Sequence, residues 1–451
     1  MKDRRVIEPS RGALPAQLRI APECHQFSLG IIQLFLKFVL SAASSQRSAA
    51  GVLRLLGEVL PGMPRTPCPN TGRLWMLRVG LYALQVPKEK ADDWVWIMDH
   101  TMQLGQYKCL AIVGVRLSDW KAQRGPLKHE DLELLNLTPM EQSTGERVHE
   151  QLIATSRQTG MPRAIVSDGG SDLKRGMEML HETHPQVAHL YDVKHKTALL
   201  LKKQLEGDER WKQFVTSANK TKLGITQSSL AFLNPPALKT KARYMNLDTL
   251  VDWAHKALRY LEDPRDVTEE KVDVEKLNDK LGWLCDYRES LAEWSRLLEL
   301  AATTEHYVRE EGYHQGAEVC LRLRLERSAG CLASRQMMNR LLEFVAEQSM
   351  LARVDERLIG SSEVLESLIG KYKLLQRTHS KGGMTATLLS FGAIVLDKTS
   401  ATIRNALETV KTQDVYDWCT EKLGITIQAQ RKTAFEGTKI ASKTKPNLTP
   451  V

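Results

Sequence analysis

The sequence has few cysteines, and no two of them stand at the spacing of a metal knuckle. The seven cysteines form no C-x-x-C pair; they stand at positions 24, 68, 109, 285, 320, 331 and 419. An odd number of scattered cysteines argues against a zinc knuckle and against a disulfide framework. The pattern predicts reduced thiols, most of them buried.

Long apolar runs are also missing. The most apolar stretch, SLGIIQLFLKFVLSAA over residues 28–43, is interrupted by Lys37 and is too short to span a bilayer. The basic start MKDRR is not followed by the apolar segment of a secretory signal. We therefore expect a soluble cytoplasmic protein.

Three common catalytic motifs are absent as well. The chain contains no G-x-x-x-x-G-K-[ST], no G-x-G-x-x-G after a strand and no G-x-S-x-G. These motifs supply the phosphate cradle, the dinucleotide turn and the nucleophile elbow. Their absence argues against a P-loop nucleotide hydrolase, a dinucleotide-dependent enzyme and a hydrolase with a serine on a nucleophile elbow.

What the chain does have is ordinary globular composition with an excess of positive charge. It has 451 residues, 42% hydrophobic and 26% charged, which predicts two to four domains. Lys and Arg number 63 against 54 acids, a net charge of +9, and residues 1–90 hold 13 of these bases and only five acids. This basic N-terminal region is suited to binding the phosphate groups of a polyanion, although a solvated basic surface would have the same composition.

Residues 27–42, 46–59 and 70–84 are periodic in apolar residues and predict a compact three-helix unit. Short joins favour helix-turn-helix-like packing. In the third helix, Arg73 and Arg78 are expected to face outward, where such a helix could enter a major groove. The alternative is a helical bundle with ordinary surface arginines.

From residue 94 the pattern becomes β-β-β-α-β-α-β-α, with strands near 94–98, 106–117, 131–137, 164–167 and 187–191. A helix entrance is predicted at Thr138-Pro139. Residues 205–358 form long amphipathic helices without strand signals, and one further helix is predicted over 363–375. The last 21 residues hold five basic residues and one acid, and are expected to be loose.

Three acids stand at strand or helix ends. Asp99 ends the first predicted strand, Asp168 ends the fourth, and Glu366 lies in the helix after the long helical region. Carboxylates at the carboxyl ends of neighbouring strands meet at one sheet edge and suit Mg²⁺ or Mn²⁺. Two such ions could drive phosphodiester displacement. Glu363, one turn from Glu366, is the alternative third carboxylate.

The strings IMDHTMQLG, IVSDGG, YDVKH and SSEVLES, with the helical region between the last two, resemble the DDE-type transposases of bacterial insertion sequences. Asp99 and Asp168 are 69 residues apart, and Glu366 follows after another 198, as in members with an inserted domain. The resemblance implies an RNase H-like α/β core with a large all-α insertion. It further implies that Asp99, Asp168 and Glu366 bind two Mg²⁺ or Mn²⁺ ions and catalyse DNA cleavage and strand transfer.

Two smaller matches accompany this resemblance. The segment Asp192-Val193-Lys194-His195 is similar to a C/D-x-x-H signature, so Asp192 and His195 are expected to support the site, unless His195 is simply a structural histidine. Glu366 and Lys373 have six residues between them, which resembles the E-(6)-K half of a second signature found in some transposase groups. Because this spacing is two helical turns, Lys373 is expected to hold a phosphate. The Tyr and Arg half of that signature is absent, and Ser362 stands where its Arg would be.

The expected organisation is a basic, helix-turn-helix-like DNA-binding domain over 1–90, the first part of the RNase H-like core over 91–205 and an all-α insertion over 206–358. The rest of the core and the C-terminal helices follow over 359–430, and a basic tail over 431–451. The expected partners are double-stranded DNA, both terminal inverted repeats and target, and further copies of the chain in a homodimer or larger synaptic complex. The alternatives are a transposase-derived DNA-binding protein that no longer cuts, and a metal-dependent nuclease on the same core.

Overall fold

The computed structural model describes residues 20–59, 65–104, 107–123, 125–237, 247–265, 273–379, 384–425 and 427–436. Of the predicted tail, residues 431–436 belong to a helix and the remainder lies outside the described residues. Within the described ranges, no helix is both long enough and apolar enough to cross a membrane.

A five-stranded mixed sheet organises the molecule. Its strands lie side by side in the order β3-β2-β1-β4-β5. The first three strands pair antiparallel, and β4 and β5 join parallel to β1. The strands are β1 (Trp94–Leu104), β2 (Tyr107–Arg116), β3 (Glu133–Met140), β4 (Ala164–Ser167) and β5 (Ala188–Tyr191). The five strands follow one another along the chain as predicted, with one additional short helix between β2 and β3.

Helices cover both faces of this sheet, so its central strands are apolar on both sides. On one face, α5 (Gly145–Thr159) and α6 (Ser171–Thr183) pack over Trp96 and Met98. On the other face, Val95 and Ile97 belong to the main core. This core also includes α7 (Val193–Glu206) and α14 (Glu363–His379). The short α4 (Leu117–Gln123) follows β2.

The first three helices form a compact unit, as predicted: α1 (Leu29–Leu40), α2 (Gln46–Val59) and α3 (Pro69–Gln85). Ser45 caps α2 through the amide of Ser48. The unit is not separate from the rest of the chain, because α3 packs tightly on α15 (Ser390–Val395). A β-carbon at Gly80 would lie only 1.7 Å from the carbonyl oxygen of Leu389.

The long helical region is an all-α insertion between α7 and α14. It comprises α8 (Glu209–Ile225), α9 (Asp248–Glu262), α10 (Val274–Leu281), α11 (Arg288–Glu311), α12 (Ala317–Leu325) and α13 (Leu332–Ser349). Contacts between Trp211, Phe214 and Trp294 hold its centre together. The architecture is therefore an α/β core with a large helical insertion. The C-terminal helices are α15, α16 (Ser400–Thr409), α17 (Thr412–Leu423) and α18 (Ile427–Glu436).

Three local predictions are wrong. Pro139 does not open a helix: it lies in β3 opposite Cys109, and α5 begins only after its cap, Thr144. A proline is tolerated there because β3 is an edge strand. The Leu and Trp spacing over residues 278–303 predicts one continuous helix, but the helix is broken at Gly282 by a 3-10 segment, Gly282–Tyr287.

The prediction that most cysteines are buried is also wrong. Only Cys109 and Cys419 are buried, four others are exposed, and all seven are free.

Candidate active site

Asp99 and Asp168 lie at the same level of two neighbouring parallel strands. Met98 pairs with Ser167, Asp99 is the next residue of β1, and Asp168 is the residue that follows β4. Because side chains alternate along a strand, Asp99 continues the row of Val95 and Ile97 on the main-core face. Adjacent strands are about 4.8 Å apart, so the two carboxylates start from neighbouring positions on one face.

Asp192 is the third aspartate in this row, because Ser167 pairs with Tyr191. It is fully buried, and both of its oxygens accept backbone hydrogen bonds. The amide of His195 donates to Oδ2 at 3.0 Å, and the amide of Ser362 donates to Oδ1 at 2.7 Å. Burial raises the pKa of Asp192, and these two amides oppose the shift. Asp192 thus caps α7 and ties it to the residues that precede α14.

Glu366 reaches this row from the first turn of α14. Oε2 accepts a hydrogen bond from Nζ of Lys194 at 2.8 Å, and Oε1 lies 3.4 Å from Nε2 of His195. Oε1 is itself buried and has no aligned hydrogen-bond donor among the described residues. Although burial alone would raise the pKa of Glu366, the contacts with His195 and Lys194 outweigh it and lower the pKa to about 2.

The electrostatics link Glu366 to the two aspartates. Burial, followed by the charge of Asp168 and to a smaller extent that of Glu366, raises the pKa of Asp99 to about 7. Burial lowers the pKa of His195, but contact with Glu366 and the charges of Asp192 and Asp168 raise it to about 9. Asp99, Asp168 and Glu366 are therefore close enough to influence one another.

A set of potential metal ligands overlaps this group. Asp192, His195 and Glu366 offer three ligand atoms within 4.8 Å of one another, enough to hold a metal ion. Two features weigh against this particular set. Asp192 already uses both oxygens as acceptors, and His195 would have to lose the proton that its raised pKa retains.

Lys194 and Glu305 were not identified as site residues from the sequence. Lys194 lies in the YDVKH segment, but its hydrogen-bond partner, Glu366, is 172 residues further along the chain. Glu305 of α11 accepts a hydrogen bond from the Thr197 hydroxyl. Burial raises the pKa of Glu305 to about 7, against the contact with Thr197 and the charge of Lys194. No local sequence signal marks either contact.

The other two charged candidates on α14 have different neighbours from those of Glu366. Glu363, the alternative third carboxylate, accepts a hydrogen bond from Nη1 of Arg309 at 3.0 Å. Lys373 is exposed two turns beyond Glu366, on the same face of the helix.

The expectation that Arg73 and Arg78 face outward is wrong. The Arg78 guanidinium donates to the carbonyl oxygens of Leu407 and Val410 at the end of α16. Burial lowers the pKa of Arg73, against smaller opposing effects of Cys419 and Tyr416 in α17. Because α3 packs between the sheet and the C-terminal helices, Arg78 binds protein groups and α3 is not free to enter a groove.

No protein-family model matches the chain, and no curated protein matches it. Among solved structures, the chain is similar to one titled Drosophila P element transposase strand transfer complex. The TM-score is 0.32 and the identity 11%, over 92% of this chain and 86% of that chain. A likeness this weak carries no information about activity.

Proposed function

We propose that this protein is a DDE-type transposase with an RNase H-like core, in which Asp99, Asp168 and Glu366 hold divalent metal for DNA cleavage and strand transfer. The observation that carries the proposal is the common position of Asp99 and Asp168 on one sheet face, with Glu366 close enough to raise the pKa of Asp99. Although Lys194 and His195 pair with Glu366, the neighbouring carboxylates of Asp99 and Asp168 repel each other, and a divalent cation would relieve that repulsion.

The donor set fits Mg²⁺ or Mn²⁺. All three side chains offer oxygen ligands, which these hard cations prefer. Oε1 of Glu366 is buried and lies 3.4 Å from Nε2 of His195 without an aligned hydrogen bond, which leaves it able to accept a cation. Burial, followed by the charge of Asp168, raises the pKa of Asp99 to about 7, and a bound cation would oppose that shift. When bound, two such ions would activate the attacking oxygen and stabilise the leaving oxygen of a phosphodiester.

The chain's own residues would arrange this site. Asp99 and Asp168 bind from the rigid sheet, and Asp192 fixes the start of α14 relative to α7 through the Ser362 amide. Lys194 and His195 hold the Glu366 carboxylate in position. Lys373 would contact a phosphate two turns along α14.

In the proposed reaction, water first cleaves the element end and releases a 3′-hydroxyl. This hydroxyl then attacks a phosphodiester of target DNA, so that one bond forms as another breaks. No nucleotide hydrolysis and no covalent protein intermediate are required. Element-end and target duplexes are the substrates, and a synaptic dimer or larger assembly of this chain would hold them together.

The test uses duplexes taken from the DNA that flanks the gene. Wild-type protein with Mn²⁺ should nick these duplexes and join their labelled 3′ ends to a plasmid, whereas Asp99→Asn protein should bind them without nicking. Binding without metal-dependent nicking by either protein would contradict the proposal.

A DNA-binding protein that no longer cuts is the second candidate. One observation favours it: Lys194 and His195 already supply two positive charges to Glu366. Under this alternative, the ion pairs of Glu366 with Lys194 and His195 only stabilise the fold, and no metal is bound. Nicking without joining would instead favour a metal-dependent nuclease.

A further inference from the structure

A polar network lies behind the two candidate metal-binding aspartates, on the opposite face of the sheet. His100 follows Asp99 in β1, and side chains alternate along a strand, so the two point to opposite faces. The cross-strand partner of His100, Leu110, belongs to the apolar core beneath α5 and α6. Nε2 of His100 lies 3.0 Å from Oγ of Ser143, in the loop before α5, and 3.5 Å from Oδ2 of Asp172. The end of β1 is thus tied to two neighbouring segments.

Asp172 is the centre of this network. It stands in the first turn of α6, and only 10% of its side chain is exposed. Oδ2 accepts a hydrogen bond at 2.7 Å from Nζ of Lys108, a residue of β2. Although burial alone would raise the pKa of Asp172, hydrogen bonds with Lys108 and Ser143 lower it, so the carboxylate is ionised at neutral pH. One charged side chain therefore joins α6 to β1, β2 and the loop before α5.

Gly170 brings this network into contact with Asp168. The Gly170 amide donates to Oδ1 of Asp168 at 3.0 Å. A β-carbon on Gly170 would lie 3.1 Å from that same oxygen and 3.4 Å from Oδ1 of Asp172. The backbone of Gly170 therefore fills the space between the two carboxylates. Asp172 thus reaches the turn after β4 through Gly170, and the end of β1 through His100.

A site for a small divalent cation needs ligands that are held rigidly. Mg²⁺ requires nearly ideal octahedral geometry with oxygens at about 2.0–2.1 Å, whereas Ca²⁺ accepts looser arrangements at about 2.3–2.6 Å. Residues that hold the ligands in place commonly change metal affinity by about 10- to 100-fold when they are replaced. The contacts of Asp172 give this kind of support to the two segments that carry the aspartates.

We propose that Lys108 and Asp172 are positioning residues for the two aspartates of the sheet. They hold Asp99 and Asp168 at the separation that Mg²⁺ or Mn²⁺ requires, and so disfavour the larger Ca²⁺. They act through the aspartates and are not ligands themselves. This inference rests on the proposed function, because it requires both aspartates to bind metal.

The test is the binding of Mn²⁺ and of Ca²⁺ to the DNA-free protein, measured by calorimetry. The variants are Asp172→Ala and Lys108→Met, which remove charges of opposite sign. A purely electrostatic effect would lower the affinity for Mn²⁺ in the first variant and raise it in the second. Loss of positioning lowers it in both. Asp99→Asn, which should lose Mn²⁺ binding, identifies the site that is being measured.

Both variants should bind Mn²⁺ about tenfold more weakly than wild type. This loss should exceed the loss for Ca²⁺ by at least about threefold. The control, Glu318→Ala, removes a first-turn acid of α12 that pairs with Arg322 in the insertion, and should keep both affinities within about twofold. Thermal unfolding checks that each variant is folded. If Asp172→Ala does not fold, Lys108→Met, whose side chain is partly exposed, decides the outcome.

Two results would overturn the inference. The first is a gain of Mn²⁺ affinity in Lys108→Met, which would show that the network acts only through its charge. The second is an equal loss for Mn²⁺ and Ca²⁺, which would show that the network does not set the separation of the aspartates.

These outcomes are distinct from failure of the proposed function. If the variants lose the preference for Mn²⁺ but wild-type protein nicks no duplex, the positioning role stands and the transposase activity fails. If wild-type protein nicks DNA and both variants bind the two cations as wild type does, the activity stands and the positioning role fails. A wild-type protein that binds no Mn²⁺ would contradict both.

Discussion

Asp99 and Asp168 stand one residue beyond the paired positions Met98 and Ser167, at equivalent places on neighbouring parallel strands. This register, more than any single motif, brings the two carboxylates together. If both are metal ligands, Asp99→Asn and Asp168→Asn should each lower metal-dependent nicking by at least about 10³-fold. The change removes a negative ligand and keeps the shape of the side chain, so the affinity for duplex in EDTA should stay within about twofold.

Nicking rates and EDTA binding are measured on the same preparations, with Asp252→Asn as a control in α9 of the insertion, where Asp252 pairs with Lys256. Retained nicking by both Asp99→Asn and Asp168→Asn would exclude them as ligands.

The choice between Glu366 and Glu363 is open to a direct comparison. Glu366 lies with Lys194 and His195, whereas Glu363 is paired with Arg309. Glu366→Gln should abolish nicking and weaken Mn²⁺ binding, measured by calorimetry, by at least about tenfold. Glu363→Gln should change both by less than about threefold. The reverse ranking would identify Glu363 as the third ligand.

We expect Asp192 to contribute to the stability of the fold. Its carboxylate satisfies two buried backbone amides from separate segments. Asp192→Ala should therefore lower the free energy of unfolding by about 2–4 kcal/mol. Asp273→Ala removes an exposed cap of α10 and should cost only about 1 kcal/mol. Denaturant unfolding measures both, and a loss for Asp192→Ala no greater than that for Asp273→Ala would refute this role.

Gly80 provides a test of the close contact between α3 and α15. A β-carbon there would meet the Leu389 carbonyl oxygen, so Gly80→Ala should destabilise the protein by at least about 2 kcal/mol. Gly51→Ala is the matched control, because nothing lies within 4 Å of its β-carbon in α2. This control should stabilise the helix by about 0.5–1 kcal/mol. Shifts of the same sign in thermal unfolding would mean that the α3–α15 contact is not as close as described.

Arg163 and Glu356 form a buried ion pair that joins the start of β4 to the end of the insertion. The guanidinium donates to both carboxylate oxygens, at 2.8 and 2.6 Å. Arg163→Met alone should cost about 3–5 kcal/mol, because it leaves Glu356 buried and unpaired. Arg163→Met/Glu356→Leu should cost much less. A double-mutant cycle that shows no coupling would contradict the pairing.

The sheet could be predicted from the sequence because its strands are short apolar runs between turn signals. The bounds of β4 agree with prediction, since Asp168-Gly169-Gly170 follows this strand as a clear turn signal. Pro139 misled the prediction because the edge position that makes a proline acceptable depends on strand order, which local pattern does not specify.

The surroundings of the candidate site were less predictable. Asp99, Asp168 and Glu366 could be chosen from strand and helix ends, but the pairing of Lys194 with Glu366 depends on how α7 and α14 pack. The outward orientation expected for Arg78 failed for the same reason. Helical periodicity identifies a polar face, yet only tertiary packing decides whether that face meets solvent or the carbonyl groups of another helix.

The central claim is that Asp99, Asp168 and Glu366 bind divalent metal together, and crystals soaked in Mn²⁺ test it most directly. The account predicts an anomalous peak about 2.2 Å from carboxylate oxygens of Asp99 and Asp168, with Glu366 ligating the same ion or a second one about 4 Å away. A peak held by Asp192 and His195 without the two aspartates, or no peak at saturating Mn²⁺, would contradict it.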